Sequence, residues 1–128
     1  MSARVLRLTT SPRPSLPRAE REFKNAPAML AVFERIAQER LRQKQLLKAG
    51  RILFNCDSPI VSDDRKLRVA TEELGEVARE IDLIEQVRSG RRMQHSPTVG
   101  LVNEITQLAA VCVAWLETFE NTARGRKA

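Results

Sequence analysis

Apolar residues recur at intervals of three and four along three stretches of the chain, the spacing of helices that each bury one face. The clearest stretch runs from about Asp64 to Arg88, where Leu67, Ala70, Leu74, Val77, Ile81 and Ile84 form one stripe. Another, from about Val99 to Asn121, carries Leu101, Ile105, Leu108, Cys112, Trp115 and Phe119. Ala109, Ala110, Val111, Val113 and Ala114 make it apolar nearly all round. Such a helix is buried on most sides, by its own domain or by a partner subunit. The earliest stretch, from about Ala28 to Lys48, has the less regular face Leu30, Phe33, Ile36, Leu41 and Leu47.

The punctuation agrees with three helices. No proline falls inside them, as helix interiors require. Pro27 opens the first, Pro59 and Pro97 lie in loops, and Pro12, Pro14 and Pro17 break the N-terminal segment. Asn25 is a candidate cap for the first helix, Ser62 or Asp63 for the second, and Ser96 or Thr98 for the third. Gly50 and Ser89-Gly90 are expected stops. Arg51 to Val61 (RILFNCDSPIV) reads as a packed loop rather than a strand, and residues 91–98 as a basic loop. With no internal repeat and no strand pair, the fold class is all-α: a helical bundle of three main helices, completed by oligomerisation. Residues 27–122 form the domain, between a flexible basic arm (1–26) and a basic tail (123–128).

Charge changes the picture little. The net charge is +6, but residues 1–25 carry +4 and the last eight +3, leaving −1 for the segment between. The folded part is nearly neutral, so a nucleic-acid partner would have to be met by the tails; basic tails are more often simply solvated. Cys56 and Cys112 have neither disulfide-framework nor metal spacing. Cys112 reads as a small core residue and Cys56 as a loop thiol, both reduced in a cytoplasmic protein. No apolar run is expected to span a membrane. No glycine-rich phosphate loop, nucleophile–base pair or zinc spacing is present. Trp115 is expected in the core and His95 on the surface.

The chemistry lies in Thr71 to Asp82 (TEELGEVAREID). At helical spacing Glu73, Glu76 and Glu80 share one flank of the apolar stripe, with Glu72 beside them. Like charges three or four apart disfavour a helix by about 0.2–0.5 kcal/mol per pair, a penalty that a cation between them reverses. Mg²⁺ suits hard oxygen ligands. Glu104, nearly alone in an uncharged run, reaches Glu73 and Glu76 if the last two helices pack antiparallel. The bland alternative is a solvated acidic face, with Arg68 paired to Glu72 and Arg79 to Glu76. Gly75, mid-helix among the acids, suggests close approach of another helix or a ligand, or simple packing.

Glu72-Glu73-Leu74-Gly75-Glu76-Val77-Ala78 resembles the EExxE motif of the MazG-like nucleoside triphosphate pyrophosphohydrolases, in the form EELGEVA. Glu104-Ile105-Thr106-Gln107 stands at the place of that family's second motif, ExxD. The segments ERLRQKQLLKAGR (39–51) and LAAVCVAWLE (108–117), with Lys66-Leu67, are similar to its flanks, so that the resemblance covers about residues 30–120. It implies a Mg²⁺-dependent (or Mn²⁺-dependent) helical enzyme, a homodimer or homotetramer, that hydrolyses a nucleoside triphosphate to a monophosphate and pyrophosphate. Carried over by position, Glu73, Glu76, Glu104 and Gln107 are metal ligands. Glu76 also counts with Glu72 as catalytic, Glu72 as a ligand or water-orienting base. Lys66, Arg91 and Arg92 are substrate-binding candidates, and Arg40 a weaker one. Gln107 departs from the family's Asp. It supplies a neutral oxygen and no charge, which predicts weaker metal affinity, a rearranged set that recruits Glu80, or a non-catalytic helical oligomer of the same fold.

Overall fold

The computed structural model describes residues 16–91 and 97–125. Four helices occupy them: α1 (Leu16–Lys24), α2 (Pro27–Lys48), α3 (Asp63–Arg88) and α4 (Pro97–Gly125). Among the described residues there is no strand. Helix α1 falls within residues 1–26, the expected flexible basic arm. Pro17 lies in its first turn, where a missing N–H removes no intrahelical bond. The chain divides into two units, Met1–Val32 and Phe33–Ala128, and the second holds the acidic motif with α3 and α4.

Local signals set the helix ends. Ala26, not Asn25, occupies the cap position of α2, its carbonyl accepting from the Leu30 N–H at 3.0 Å. At the far end Gly50 takes φ +69°, the Gly50 N–H donates to the Leu47 carbonyl, and that of Arg51 to Leu46. Gly90 (φ +71°) and Arg91 repeat the arrangement on Val87 and Gln86. Only glycine adopts that conformation without strain, so both stops are written into the sequence. Ser62 caps α3, its hydroxyl accepting from the Arg65 N–H at 3.2 Å, and Asp63 and Asp64 in the first turn favour the positive end of the helix dipole. Helix α4 begins at Pro97 and runs four residues past Asn121, with Thr98 inside it and Ser96 outside the described residues.

Helices α3 and α4 pack side by side. Lys66, early in α3, reaches Thr118, late in α4, whereas Glu80, late in α3, covers Gly100, early in α4; the two therefore run antiparallel. Side chains join α2 to this pair. The Arg40 guanidinium, 4 % exposed, forks onto Glu117 through two 3.0 Å bonds and lies 3.3 Å from Asp57. The loop Arg51–Val61 is packed only at its middle, where Asn55 and Cys56 are buried, whereas Leu53 and Ile60 are almost fully exposed.

The buried face differs from the predicted stripes. Cys56, Val111 and Ala114 form the core, with Phe54, Val69 and Ala70 packed against it, and Ala110 is fully covered. Small residues on α4 let α3 approach closely. Leu67, Leu74 and Ile81 on α3, and Ile105, Cys112 and Phe119 on α4, are exposed instead. Cys112, expected in the core, is exposed, and Cys56 lies in its loop as expected but is buried. Trp115 is half-buried, its indole N–H donating to Asp63 Oδ1 at 2.8 Å, rather than a sealed core residue. The expectation that no run could span a membrane is corrected too. Thr98–Gly125 is long and apolar enough by length and composition, with mean hydropathy 1.6 in its most apolar window.

Candidate metal centre

The acidic motif emerges on the flank of α3 that meets α4. Glu73, Glu76 and Glu80 are half-buried there, Glu72 is exposed, and Glu104 faces them from α4, itself half-buried. Antiparallel packing brings Glu104 to the acids of α3, as the spacing predicts. The electrostatics record it. Burial raises the Glu73 carboxyl above its usual range, and the negative charges of Glu104, Glu76, Glu39 and Glu72 add to the rise. Burial likewise raises Glu104, with Glu76 and Glu80 adding and Arg79 opposing. Acids from three helices thus share one field, and Glu39 of α2 belongs among them although the sequence reading gave it no role.

Three of the acids also have a local partner. Glu39 takes a fork from Arg42 at 2.7 and 2.8 Å, Glu76 pairs with Arg79 at 3.0 Å, and Gln107 Nε2 donates to Glu104 Oε2 at 3.4 Å. The Arg79–Glu76 pair is the one expected, whereas Arg68 pairs with Asp64 rather than Glu72. Among the described residues no three Asp, Glu, His or Cys side chains close around a single point. The Arg79–Glu76 pair is an exposed i,i+3 contact worth about 0.2–0.5 kcal/mol, whereas the Glu39 carboxylate, 13 % exposed, is held by two hydrogen bonds from Arg42. The donor set is of the kind a hard divalent cation takes: carboxylate oxygens predominate, although Glu39 and Glu76 are ion-paired to Arg42 and Arg79. Gln107 fits as a neutral oxygen donor once its amide turns over.

Glycine serves a different position from the one expected. A Cβ on Gly75 would meet nothing within 4 Å. On Gly100 it would collide with the Glu80 carboxylate, whose Cδ lies 2.9 Å from that point. Gly100 is therefore what admits Glu80 against α4, beside Glu104.

Two hollows meet at this centre and share Glu39, Arg42 and Gln107. One, of about 540 Å³, is a polar groove between α2 and α4 bordered also by Arg35. The other, of about 410 Å³, runs beneath Glu39 and Glu73 between apolar walls that include Leu46, Ile52, Phe54 and Val111. Arg35 and Arg42 were not singled out from sequence, since an arginine on an irregular helix face looks like ordinary surface.

Of the predicted substrate-binding residues, Lys66 and Arg91 lie elsewhere. Lys66 is 1 % exposed, donates to Thr118 Oγ1 at 2.8 Å and borders a different hollow, formed with Pro59, Ser62 and Thr122. Arg91 is exposed and donates to Ser89 Oγ at 2.9 Å beyond the end of α3. Arg92 and His95 lie outside the described residues. Arg40 is committed to Glu117 and Asp57. No known protein family, curated protein or solved structure matches the chain.

Proposed function

We propose that the protein is a divalent-metal-dependent nucleoside triphosphate pyrophosphohydrolase of the MazG-like kind. The observation that carries the reading is that EELGEVA on α3 and Glu104 on α4 occupy one electrostatic neighbourhood, which Glu39 of α2 joins. Glu73, Glu76 and Glu104 would hold Mg²⁺, with Gln107 and Glu39 beside them. When bound, the cation supplies neutralisation of phosphate charge and of the charge that develops as the α–β anhydride opens. The chain's own side chains do the rest. Arg35 and Arg42 line the polar groove and match phosphate oxygens in charge and fork geometry. Glu72, exposed at the solvent edge, would orient the attacking water and accept its proton. Water adds to the α phosphorus, pyrophosphate leaves, and a nucleoside monophosphate remains.

The exposed face Leu67, Leu74 and Ile81 supports a dimer or tetramer, because contiguous apolar surface of this kind marks association. A cytoplasmic location is part of the same reading. Glu117 of α4 is tied to Arg40 and Thr118 to Lys66, contacts that suit a helix packed in protein better than one in lipid. Gln107 supports a second reading, a non-catalytic helical oligomer that kept the fold, in which the basic tails meet nucleic acid or an acidic protein. Pyrophosphate release from a panel of nucleoside triphosphates with Mg²⁺ separates the two. The first reading expects slow turnover that disappears in Glu76→Gln. No turnover with any nucleotide, together with no Mg²⁺-dependent thermal shift, selects the second.

A further inference from the structure

Leu67, Leu74 and Ile81 on α3 are open to solvent, each 54–56 % exposed. They stand seven residues apart, a spacing that drifts by only about 20° per step on a straight helix, so all three lie on one side of it. Thr71 and Ala78 are exposed between them. Large and small side chains thus alternate along one row, and such a row packs best on a helix that sets small side chains against its large ones. The ends of the row are charged. Near the start of α3, Arg68 and Asp64 lie 3.3 Å apart with their side chains 77 % and 73 % exposed. Near its end Glu85 and Arg88 are exposed and form no ion pair among the described residues.

Charge selects the helix that fits. A copy of α3 laid antiparallel, crossing level with Glu76, brings its Arg88 opposite Asp64 and its Glu85 opposite Arg68, because the members of each pair stand at matching distances, to within one residue, on either side of Glu76. In the same register Leu74 meets Ala78 and Ile81 meets Thr71, so shape and charge agree. A parallel copy sets Asp64 against Asp64 and Arg68 against Arg68, like charge on like, which costs affinity. We propose that α3 packs antiparallel against α3 of a second copy of this chain, through Leu67, Leu74 and Ile81, about a two-fold axis level with Glu76. Every contact then occurs twice, as in any interface between identical surfaces. The inference rests on the reading that the protein associates, names the surface and its partner, and is independent of the reaction.

The test is oxidative cross-linking of two full-length variants, Thr71→Cys and Ile81→Cys, each also carrying Cys112→Ser because Cys112 is exposed. Five residues from the axis, a cysteine at either position lies about 15 Å along the helix from its own copy, beyond the reach of a disulfide. Each variant alone should therefore stay uncross-linked, and an equal mixture should yield disulfide-linked pairs of one with the other. Cross-linking of either variant with itself as fast as in the mixture overturns the proposal. Should these variants not fold or not associate, charge exchange decides. Arg88→Glu and Asp64→Lys should each weaken self-association about tenfold by sedimentation, and the double variant should recover most of it. Additive losses in the double variant overturn the proposal. A wild-type dimer that shows neither the mixed cross-link nor the charge rescue overturns this interface alone. A wild type that sediments as one chain overturns it together with the association, and leaves the hydrolase reading untouched.

Discussion

Removing the Glu73 charge should stabilise the protein without metal and take away its response to metal. In Glu73→Gln the side chain keeps its size and loses its repulsion with Glu104, Glu76, Glu39 and Glu72. At about 0.2–0.5 kcal/mol per like-charge neighbour, four neighbours make about 1–2 kcal/mol at pH 7. A domain of this size shifts its melting temperature by about 4–8 °C per kcal/mol, so the variant should melt roughly 4–16 °C above wild type in EDTA. Saturating Mg²⁺ should reverse the order. A cation at a hundred times its dissociation constant adds about 2.7 kcal/mol to the wild type, and the variant, short of one ligand, gains much less. The pH dependence has a definite sign. Folded Glu73 holds its proton more tightly than the unfolded chain does, so its contribution to stability is complete below the ordinary value of 4.5 and is lost as pH rises through the raised folded value. The gap between wild type and variant in EDTA should therefore close as pH falls toward that value. Differential scanning calorimetry at several pH values measures all of this. A variant that melts below wild type in EDTA, or that gains as much from Mg²⁺, would refute the reasoning.

Other consequences follow from the rest of the molecule. Hydrogen bonds from Arg40 outweigh burial and hold the Glu117 carboxyl below its usual range, so the stability this pair contributes is present above the unfolded value and lost as pH falls through the lowered folded one. Acid titration of Glu117→Gln should show a correspondingly shallower loss. Arg40→Met should cost stability toward the lower end of about 3–5 kcal/mol, since the Glu117 side chain keeps 30 % exposure; a change under 1 kcal/mol in urea unfolding would contradict this. Leu74→Glu places a charge on the exposed stripe of α3 and should reduce the mass seen by light scattering to that of one chain. An unchanged oligomer would move the interface elsewhere.

What the sequence disclosed and what it withheld have separate physical causes. The ends of α2 and α3 were legible because Gly50, Gly90 and Ser62 meet local backbone needs that no distant contact alters. The approach of Glu104 to Glu73 and Glu76 was legible because two antiparallel helices joined by a short loop leave few other registers. The buried face was not. Periodicity identifies an apolar stripe without saying what covers it, and on α3 and α4 the chain's own contacts cover Ala110, Val111 and Ala114 while Leu67, Leu74, Ile81 and Ile105 stay open. Gly75 misled because a mid-helix glycine looks the same whether or not anything approaches it, whereas Gly100 had an acid over it from another helix. Glu39 was hidden by Arg42 three residues on, which makes it look like a solvated ion pair.

The claim on which the account depends is that acids from α2, α3 and α4 together hold one divalent cation. Substoichiometric Mn²⁺ added to isotopically labelled protein tests it directly, because paramagnetic broadening marks the residues around the ion. The account predicts that Glu39, Glu73, Glu76 and Glu104 broaden together at the lowest concentrations and that Glu76→Gln abolishes the effect. Broadening spread evenly over exposed acids such as Asp64 and Glu120, with Glu104 no more affected than they are, would contradict it.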